Sequence, residues 1–170
     1  TKAYLQVEGK ERPKLELGDD PDKTGEYQMT FRVVNFGTES LQYAITPTVL
    51  TENAETKGDY GNVQVYFATQ TSRDITAQTT WTTNCANNVV TVPAKGTADV
   101  TVTVKLSDAL RKELTDTFEN GIYIEGYITL KQQATAEGVT GCDLSIPYLA
   151  FYGDWDQAPV IDIGYYWQKL

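Results

Sequence analysis

The residues of this chain that could carry out chemistry are its carboxylates, and Glu125 is the most distinctive of them. Glu125 lies in an apolar segment, directly before Gly126 and between Tyr123 and Tyr127 on its own face. Two carboxylates that meet in a cleft can act as general acid and base, as in glycoside hydrolysis. No motif pairs Glu125 with a second acid, so we interpret it as a structural carboxylate that accepts hydrogen bonds or faces solvent.

The sequence contains no histidine, and this excludes several other kinds of active site within the chain. A Ser-His-Asp triad and a Cys-His pair both need an imidazole base. Zinc and copper sites of ordinary composition also depend on histidine. There is no glycine-rich dinucleotide motif and no phosphate-binding loop. The sequence therefore predicts a non-catalytic chain without a metal or other cofactor.

One polar loop has a spacing similar to that of a calcium-binding loop. Asp20, Asp22, Thr24 and Gly25 match the first, third, fifth and sixth positions of an EF-hand. The twelfth position is Phe31, where a bidentate glutamate is needed, and the loop leads into a predicted strand instead of a helix. We therefore favour a polar turn over a calcium site.

The two cysteines, Cys85 and Cys142, are too far apart in sequence for a CxxC redox or zinc motif. A disulfide between them would close a loop of about 58 residues and stabilise the fold by about 4 kcal/mol through chain entropy. Two separate thiols are the alternative, and the residues alone leave both states open. An oxidising compartment would favour the bond.

Aromatic residues gather towards the end of the chain, where Tyr148, Phe151, Tyr152 and Trp155 flank a predicted turn. Flat rings on a sheet can stack on sugars, but Tyr and Trp also suit the margin of a core because each has an apolar body and a polar tip. We favour packing for this cluster. A contact surface of exposed rings is a separate hypothesis, and its candidates are Trp155, Tyr165, Tyr166 and Trp167.

The formal net charge of −9 argues against a nucleic-acid partner. Binding a polyanion depends on clustered Lys and Arg that displace counterions from phosphates, and the basic residues here are scattered. No apolar run approaches the 18 residues or so that span a bilayer, so we expect no direct membrane insertion.

Alternation of apolar and polar residues with a period of two predicts strands along most of the chain. In ADVTVTVKL, Val100, Val102 and Val104 fall on one face, while Thr101 and Thr103 fall on the other. Turn residues separate the alternating segments. The predicted strands cover residues 13–18, 27–36, 41–50, 62–67, 97–106, 121–131 and 143–152, and the segment 68–92 is less clear.

One segment has helical spacing instead. Ser107 can cap a short helix in which Leu110, Leu114 and Phe118 recur every four residues, and Gly121 can end it. Seven to eight strands with this single helix before the sixth predict an all-β fold, a two-sheet antiparallel sandwich. An odd number of antiparallel strands would place the two ends of the chain at opposite poles.

The closing strand, LSIPYLAFYGDWDQAPVID, resembles that of the fibronectin type III-like domain in cell-envelope subtilisin-like serine proteases, the lactocepin and C5a peptidase family. The family strand has the form I-P-aromatic-x-G-aromatic-x-G, and Ala150 stands here where glycine is common. FRVVNFGTESLQYAITPTVLT, VTVPAKGTADVTVTVKL and ENGIYIEGYITL are similar to three further family segments in the expected order. The family-motif residues are Asn120, Gly121, Glu125, Gly126, Ile146, Pro147, Tyr148, Phe151 and Gly153.

The resemblance implies an immunoglobulin- or fibronectin III-like sandwich over residues 1–155. Residues 1–10 would link it to a preceding catalytic domain, and 156–170 would form an exit segment that packs back or begins the next module. Pro147 would mark a bulge or an edge of the last strand.

For function, the resemblance implies a secreted or cell-wall-associated bacterial protein. This part of it would support and space a subtilisin-like catalytic domain, shape substrate access, and contact that domain and a following module. The alternative is a carbohydrate-binding or adhesive sandwich, which would need exposed, coplanar rings.

Overall fold

The computed structural model describes residues 2–60, 63–134 and 142–157, and for residues 54–60, 63–70 and 157 it describes the backbone alone. These residues form ten strands, one α-helix and three short 3-10 helices. The elements are β1 (Ala3–Gln6), β2 (Leu15–Asp20), β3 (Glu26–Asn35), β4 (Leu41–Tyr60), β5 (Val63–Asp74), β6 (Thr79–Thr83), β7 (Val89–Val92), β8 (Thr97–Leu106), α1 (Asp108–Thr117), β9 (Ile122–Gln132) and β10 (Leu144–Tyr152).

The strands form two sheets that pack as a sandwich, which confirms the predicted fold class. The smaller sheet has the order β1-β3-β8-β6, and its pairs are antiparallel. The larger sheet has the order β2-β10-β9-β4-β5, and β7 pairs with the start of β4. One pair differs from the predicted antiparallel arrangement, because β2 runs parallel to β10. The described residues also hold ten strands instead of seven to eight.

The core lies between the sheets, where the alternating residues meet as predicted. On β3, Met29, Phe31 and Val33 are buried, and Phe31 lies opposite Val100 of β8. The intervening residues of β3 are exposed. Burial of each such side chain stabilises the fold by about 1.5–3 kcal/mol. The period of two in the sequence therefore reports directly which face of each strand meets the opposite sheet.

Helix α1 covers one pole of the sandwich. The Oγ of Ser107 accepts a hydrogen bond from the backbone N–H of Leu110 at 3.2 Å, which satisfies one of the free donors of the first turn. Leu110 and Leu114 are buried against the core. In the part of the chain that the structure describes, no helix is long and apolar enough to cross a membrane. The predicted helix with its Ser107 cap is confirmed, but it ends at Thr117, before Phe118 and Gly121.

Four strand regions were not predicted from the alternation of apolar and polar residues. β1 lies within the segment predicted as a linker, yet Ala3 and Leu5 are buried and pair with β3. β6 and β7 fall in the segment 68–92 that the sequence left unclear. β6 has the sequence TTWTT, whose threonines carry no apolar alternation. The β4-β5 hairpin also extends well past the predicted strands.

Proline is tolerated in two strands of the large sheet because, at the proline itself, each strand has a paired neighbour on one side only. Pro47 of β4 lies after the residues that pair with β7 and before those that pair with β5. Pro147 of β10 lies one residue before the pairing with β2 begins, at Tyr148. A missing backbone donor costs no ladder hydrogen bond on such a side. The edge alternative for Pro147 fits this register, and the register shift in the β2-β10 pair lies further on, between Leu149 and Ala150.

The first and last described strands begin and end at opposite poles. Ala3 lies beside Asn35, the last residue of β3. Tyr152 pairs with Asp20, and the Asp20 carboxylate contacts Tyr27 near the start of β3. The parity argument for this arrangement was wrong, because it assumed seven antiparallel strands. Since β1 and β10 run in the same direction, the start of one and the end of the other lie at opposite poles.

We expect Ser107→Ala to lower the free energy of unfolding by about 1 kcal/mol, because the first turn of α1 loses its side-chain cap. Urea denaturation followed by circular dichroism measures this change. Ser145→Ala, at an exposed position of β10, is the matched control and should change stability by less than about 0.5 kcal/mol. Equal effects of the two substitutions would contradict the capping role.

Candidate interaction surface

Tyr148 is a core residue that ties three strands of the large sheet together. It lies opposite Gly126 of β9, and its hydroxyl donates a hydrogen bond to the backbone carbonyl of Thr48 on β4 at 2.7 Å. Burial raises the pKa of Tyr148 above its usual range. The ring is 4% exposed, so it cannot present a face to a ligand.

Gly126 makes this crossing possible. A Cβ atom at this position would lie 2.0 Å from the carbonyl oxygen of Thr48 and 2.8 Å from the Tyr148 hydroxyl. No side chain fits at these distances, and the nearer atom belongs to the backbone and cannot swing away. The motif glycine before Tyr127 therefore serves the close approach of β9 and β4.

Tyr152 is a second core aromatic, and it ties β10 to the helix. Its hydroxyl donates to the backbone carbonyl of Arg111 at 3.2 Å and lies 3.1 Å from the Thr115 hydroxyl. Gly153 follows it and exchanges two backbone hydrogen bonds with Asp20 at 3.1 Å each. Half of the predicted aromatic cluster therefore belongs to the core.

The other half lies on the opposite, outer face of the large sheet. Phe151 and Trp155 join Tyr123 in a cluster whose ring centroids are 5.0–5.6 Å apart. The rings meet edge to face, at interplanar angles between 63° and 85°. Tyr123 is 8% exposed and Phe151 is 5% exposed, and burial raises the pKa of Tyr123 to about 12. This geometry favours packing and offers no coplanar platform for a sugar.

Close packing beneath the Phe151 ring explains why glycines occupy positions 121 and 153. A Cβ at Gly121 would lie 2.7 Å from the Phe151 ring and 2.7 Å from the Tyr152 carbonyl, and its φ of +100° suits glycine. Gly153 lies against Gly121 in the same way. Ile146, a further motif residue, is fully buried, while Asn120 is exposed in the turn before β9. The motif residues therefore divide between packing and turns.

Two adjoining hollows mark the outer face of β9 and β10. The smaller holds about 280 Å³ and is lined by Glu125, Tyr127, Pro147 and Leu149, among others. The larger holds about 670 Å³ and ends at the aromatic cluster, and its lining also includes the charged residues Lys14, Glu16, Asp19 and Asp156. Lys14 and Leu149 line both hollows, so the surface is continuous. We call it the outer apolar face, defined by Tyr123, Tyr127, Pro147, Leu149, Phe151 and Trp155.

Glu125 lies at the centre of this face, opposite Leu149, and is partly exposed. The described residues that line the smaller hollow include no carboxylate besides Glu125, and three others, Glu16, Asp19 and Asp156, line the adjoining hollow. The place of Glu125 beside Lys14 fits a structural or contact role.

The loop that resembles a calcium site is a hydrogen-bonded turn. The Asp20 carboxylate accepts from the backbone N–H groups of Thr24 and Gly25 at 2.9 Å each. It also accepts from the Thr24 hydroxyl at 3.0 Å and from the Tyr27 hydroxyl at 3.1 Å. These four bonds occupy the lone pairs that a cation would need. The polar-turn interpretation accounts for Asp20.

The remaining predicted site residues differ in how far the structure describes them. Cys85 is a half-buried thiol whose pKa is raised by burial, and Cys142 is exposed. No disulfide joins them in the structure, and their pairing stays a prediction. Trp155 lies in the outer cluster as described. Tyr165, Tyr166 and Trp167 lie outside the described residues.

The outer apolar face was missed by sequence reasoning, although a signal was present. Tyr123 and Tyr127 fall on the face of β9 that alternation assigns to solvent, and Leu149 does so on β10. A strand with apolar residues on both faces indicates burial on both sides. That pattern distinguishes β9 and β10 from β3 and β8.

Two packed sheets with a helix leading into β9 define a sandwich of the fibronectin type III-like class. A family model described as "Fn3-like domain" matches residues 15–149. The chain therefore belongs to the family of Fn3-like domains. This confirms the resemblance to such domains in cell-envelope subtilisin-like proteases.

Two kinds of curated relative are similar to this chain. C5a peptidase of Streptococcus pyogenes serotype M1 is 31% identical over 80 residues, which cover 47% of this chain and 6% of that protein. The PI-type proteinase of Lactococcus lactis subsp. cremoris is 25% identical over 150 residues, which cover 88% of this chain and 7% of that protein. The chain thus spans a small part of the length of the relatives it matches.

A likeness among solved structures concerns the fold alone. A family 123 glycoside hydrolase from Clostridium perfringens superimposes with a TM-score of 0.50 at 5% identity, over 89% of this chain and 27% of that chain.

We expect Gly126→Ala to lower the free energy of unfolding by about 3 kcal/mol or more, since the new Cβ forces β9 away from the Thr48 carbonyl and breaks the Tyr148 crossing. Urea denaturation measures the loss. Gly37→Ala is the control, because a Cβ there comes no closer than 3.0 Å to any neighbour, the nearest atom being in the Lys2 side chain. A mild effect of Gly126→Ala, no larger than that of the control, would show that the close approach is not a constraint.

Proposed function

We propose that this chain is a non-catalytic accessory domain of a secreted or cell-surface subtilisin-like serine protease. The observation that carries the proposal is the family match over residues 15–149, together with relatives that are proteinases in which the matching segment is a small fraction of the whole. The chain itself contains no histidine for a serine-protease triad. The catalytic residues would therefore belong to another part of the same polypeptide.

The role we propose is to support the catalytic domain and to hold it at a distance from the cell envelope. Two features of the fold support this role. The described chain enters at one pole and leaves at the other, as a spacer requires. The core is continuous between both sheets and includes the helix, so the sandwich can act as one rigid unit. An extracellular or wall-associated location follows from the same proposal.

The carbohydrate-binding alternative receives less support. It needs exposed rings that lie in one plane, and the rings of Tyr123, Phe151 and Trp155 meet edge to face. Tyr148 and Tyr152, which the sequence grouped with them, are buried in the core.

A fluorophosphonate probe tests the protease assignment in the intact polypeptide that contains this chain. Such probes bond covalently to the activated serine of serine hydrolases. We expect one labelled serine, and peptide mapping should place it outside residues 1–170. A polypeptide that takes no label under conditions where a known subtilisin does would overturn the assignment.

The supporting role has a separate test in the same polypeptide. Gly126→Ala should lower the temperature of half-inactivation by several degrees, because the loosened sandwich no longer braces the catalytic domain. Hydrolysis of a short peptide well below that temperature should keep its kcat/KM. Gly37→Ala should change neither quantity. If Gly126→Ala unfolds the sandwich without shifting inactivation, the domain does not brace its neighbour.

A further inference from the structure

The outer surfaces of the two sheets differ in polarity along their central strands, β3 and β8 in one sheet and β9 and β10 in the other. On β3 and β8 of the small sheet, most outward side chains are polar, and Arg32 donates a hydrogen bond to Asp99 across the two strands at 2.8 Å. Thr30 and Thr101 pair in the same row at 3.3 Å. Tyr4 and Phe36, each 49% exposed, form an apolar pair at the β1 edge of this sheet. The polar surface of β3 and β8 is the ordinary arrangement for a sheet that has one face in water.

The outer apolar face of the large sheet breaks that arrangement. Tyr127 is 42% exposed, Leu149 and Trp155 are partly exposed, and the two hollows between them are continuous. A continuous apolar surface of this kind indicates that something covers it. The large hollow, at about 670 Å³, has room for several side chains.

The position at which the described chain ends indicates which segment could cover the outer apolar face. Trp155 and Asp156 line the larger hollow, and the described chain ends at Gln157, one residue further on. A few residues of extended chain reach about 10 Å from there. The residues that follow are strongly apolar, and they include Val160, Ile161, Ile163, Tyr165, Tyr166 and Trp167.

We propose that residues 158–170 fold back and cover the outer apolar face of β9 and β10. The segment is tethered at the rim of the larger hollow, so its effective concentration there exceeds that of any free partner. One contact buries both the apolar residues of the segment and the apolar residues of the face. The inference does not depend on the protease proposal, because it concerns this chain alone.

Hydrogen exchange on the chain 1–170 tests the proposal directly. We expect the backbone amides of 158–170 to exchange at least about tenfold more slowly than in a synthetic peptide of the same sequence. Tyr127→Lys and Leu149→Lys, each of which places a charge on the face, should return the segment to the rate of the free peptide. Gln28→Lys, at an exposed position on the outer surface of the small sheet, should leave the protection unchanged.

Protection of the β3 and β8 amides in every variant serves as the check that the sandwich has folded. Exchange of 158–170 at the rate of the free peptide in the unaltered chain would overturn the proposal. Protection that survives both face variants would overturn it as well. In either case the face would remain for a neighbouring domain, and the labelling test of the protease assignment would stand unaffected.

Discussion

The approach of β9 to β4 at Gly126 is the constraint on which the large sheet depends. The Thr48 carbonyl lies where a Cβ of residue 126 would be, so the strands can come this close only at a glycine. Tyr148 crosses the gap and donates to that carbonyl, which pins β10, β9 and β4 in one register. The bond is partly buried, and its loss would leave the Thr48 carbonyl without this donor. Register and core packing are therefore fixed at the same point.

That register also decides where the aromatic residues go. With Tyr148 and Tyr152 directed into the core, the alternation of β10 sends Phe151 to the other face, where it meets Tyr123 on β9. Trp155 closes the group just after the strand ends. The aromatic closing strand is thus shared between two hydrophobic clusters on opposite sides of one sheet.

How far the sequence predicts the fold depends on how each strand is buried. β3 and β8 face the core on one side and water on the other, so alternation predicts them and their buried residues. β6 is held in the sheet by its pairing with β8 and not by a row of apolar residues. Its threonines show no alternation of apolar and polar residues from which a strand could be predicted. The parallel β2-β10 pair joins residues far apart in sequence. The resemblance located the family and its motif glycines, but the reason for each glycine is a three-dimensional contact.

Predicting the outer apolar face needs both the fold and the residue types at single positions. Tyr123, Tyr127 and Leu149 each look like an isolated apolar residue in a strand, and single exposed apolar residues are ordinary in proteins. Only the pairing of β9 with β10 brings them into one surface, and only the contrast with the mostly polar outward residues of β3 and β8 makes that surface unusual. The two outer surfaces of the sandwich therefore differ in their central strands. The sandwich can face solvent through β3 and β8 while β9 and β10 bear on another segment of polypeptide, which is the asymmetry that an accessory domain within a larger protein needs.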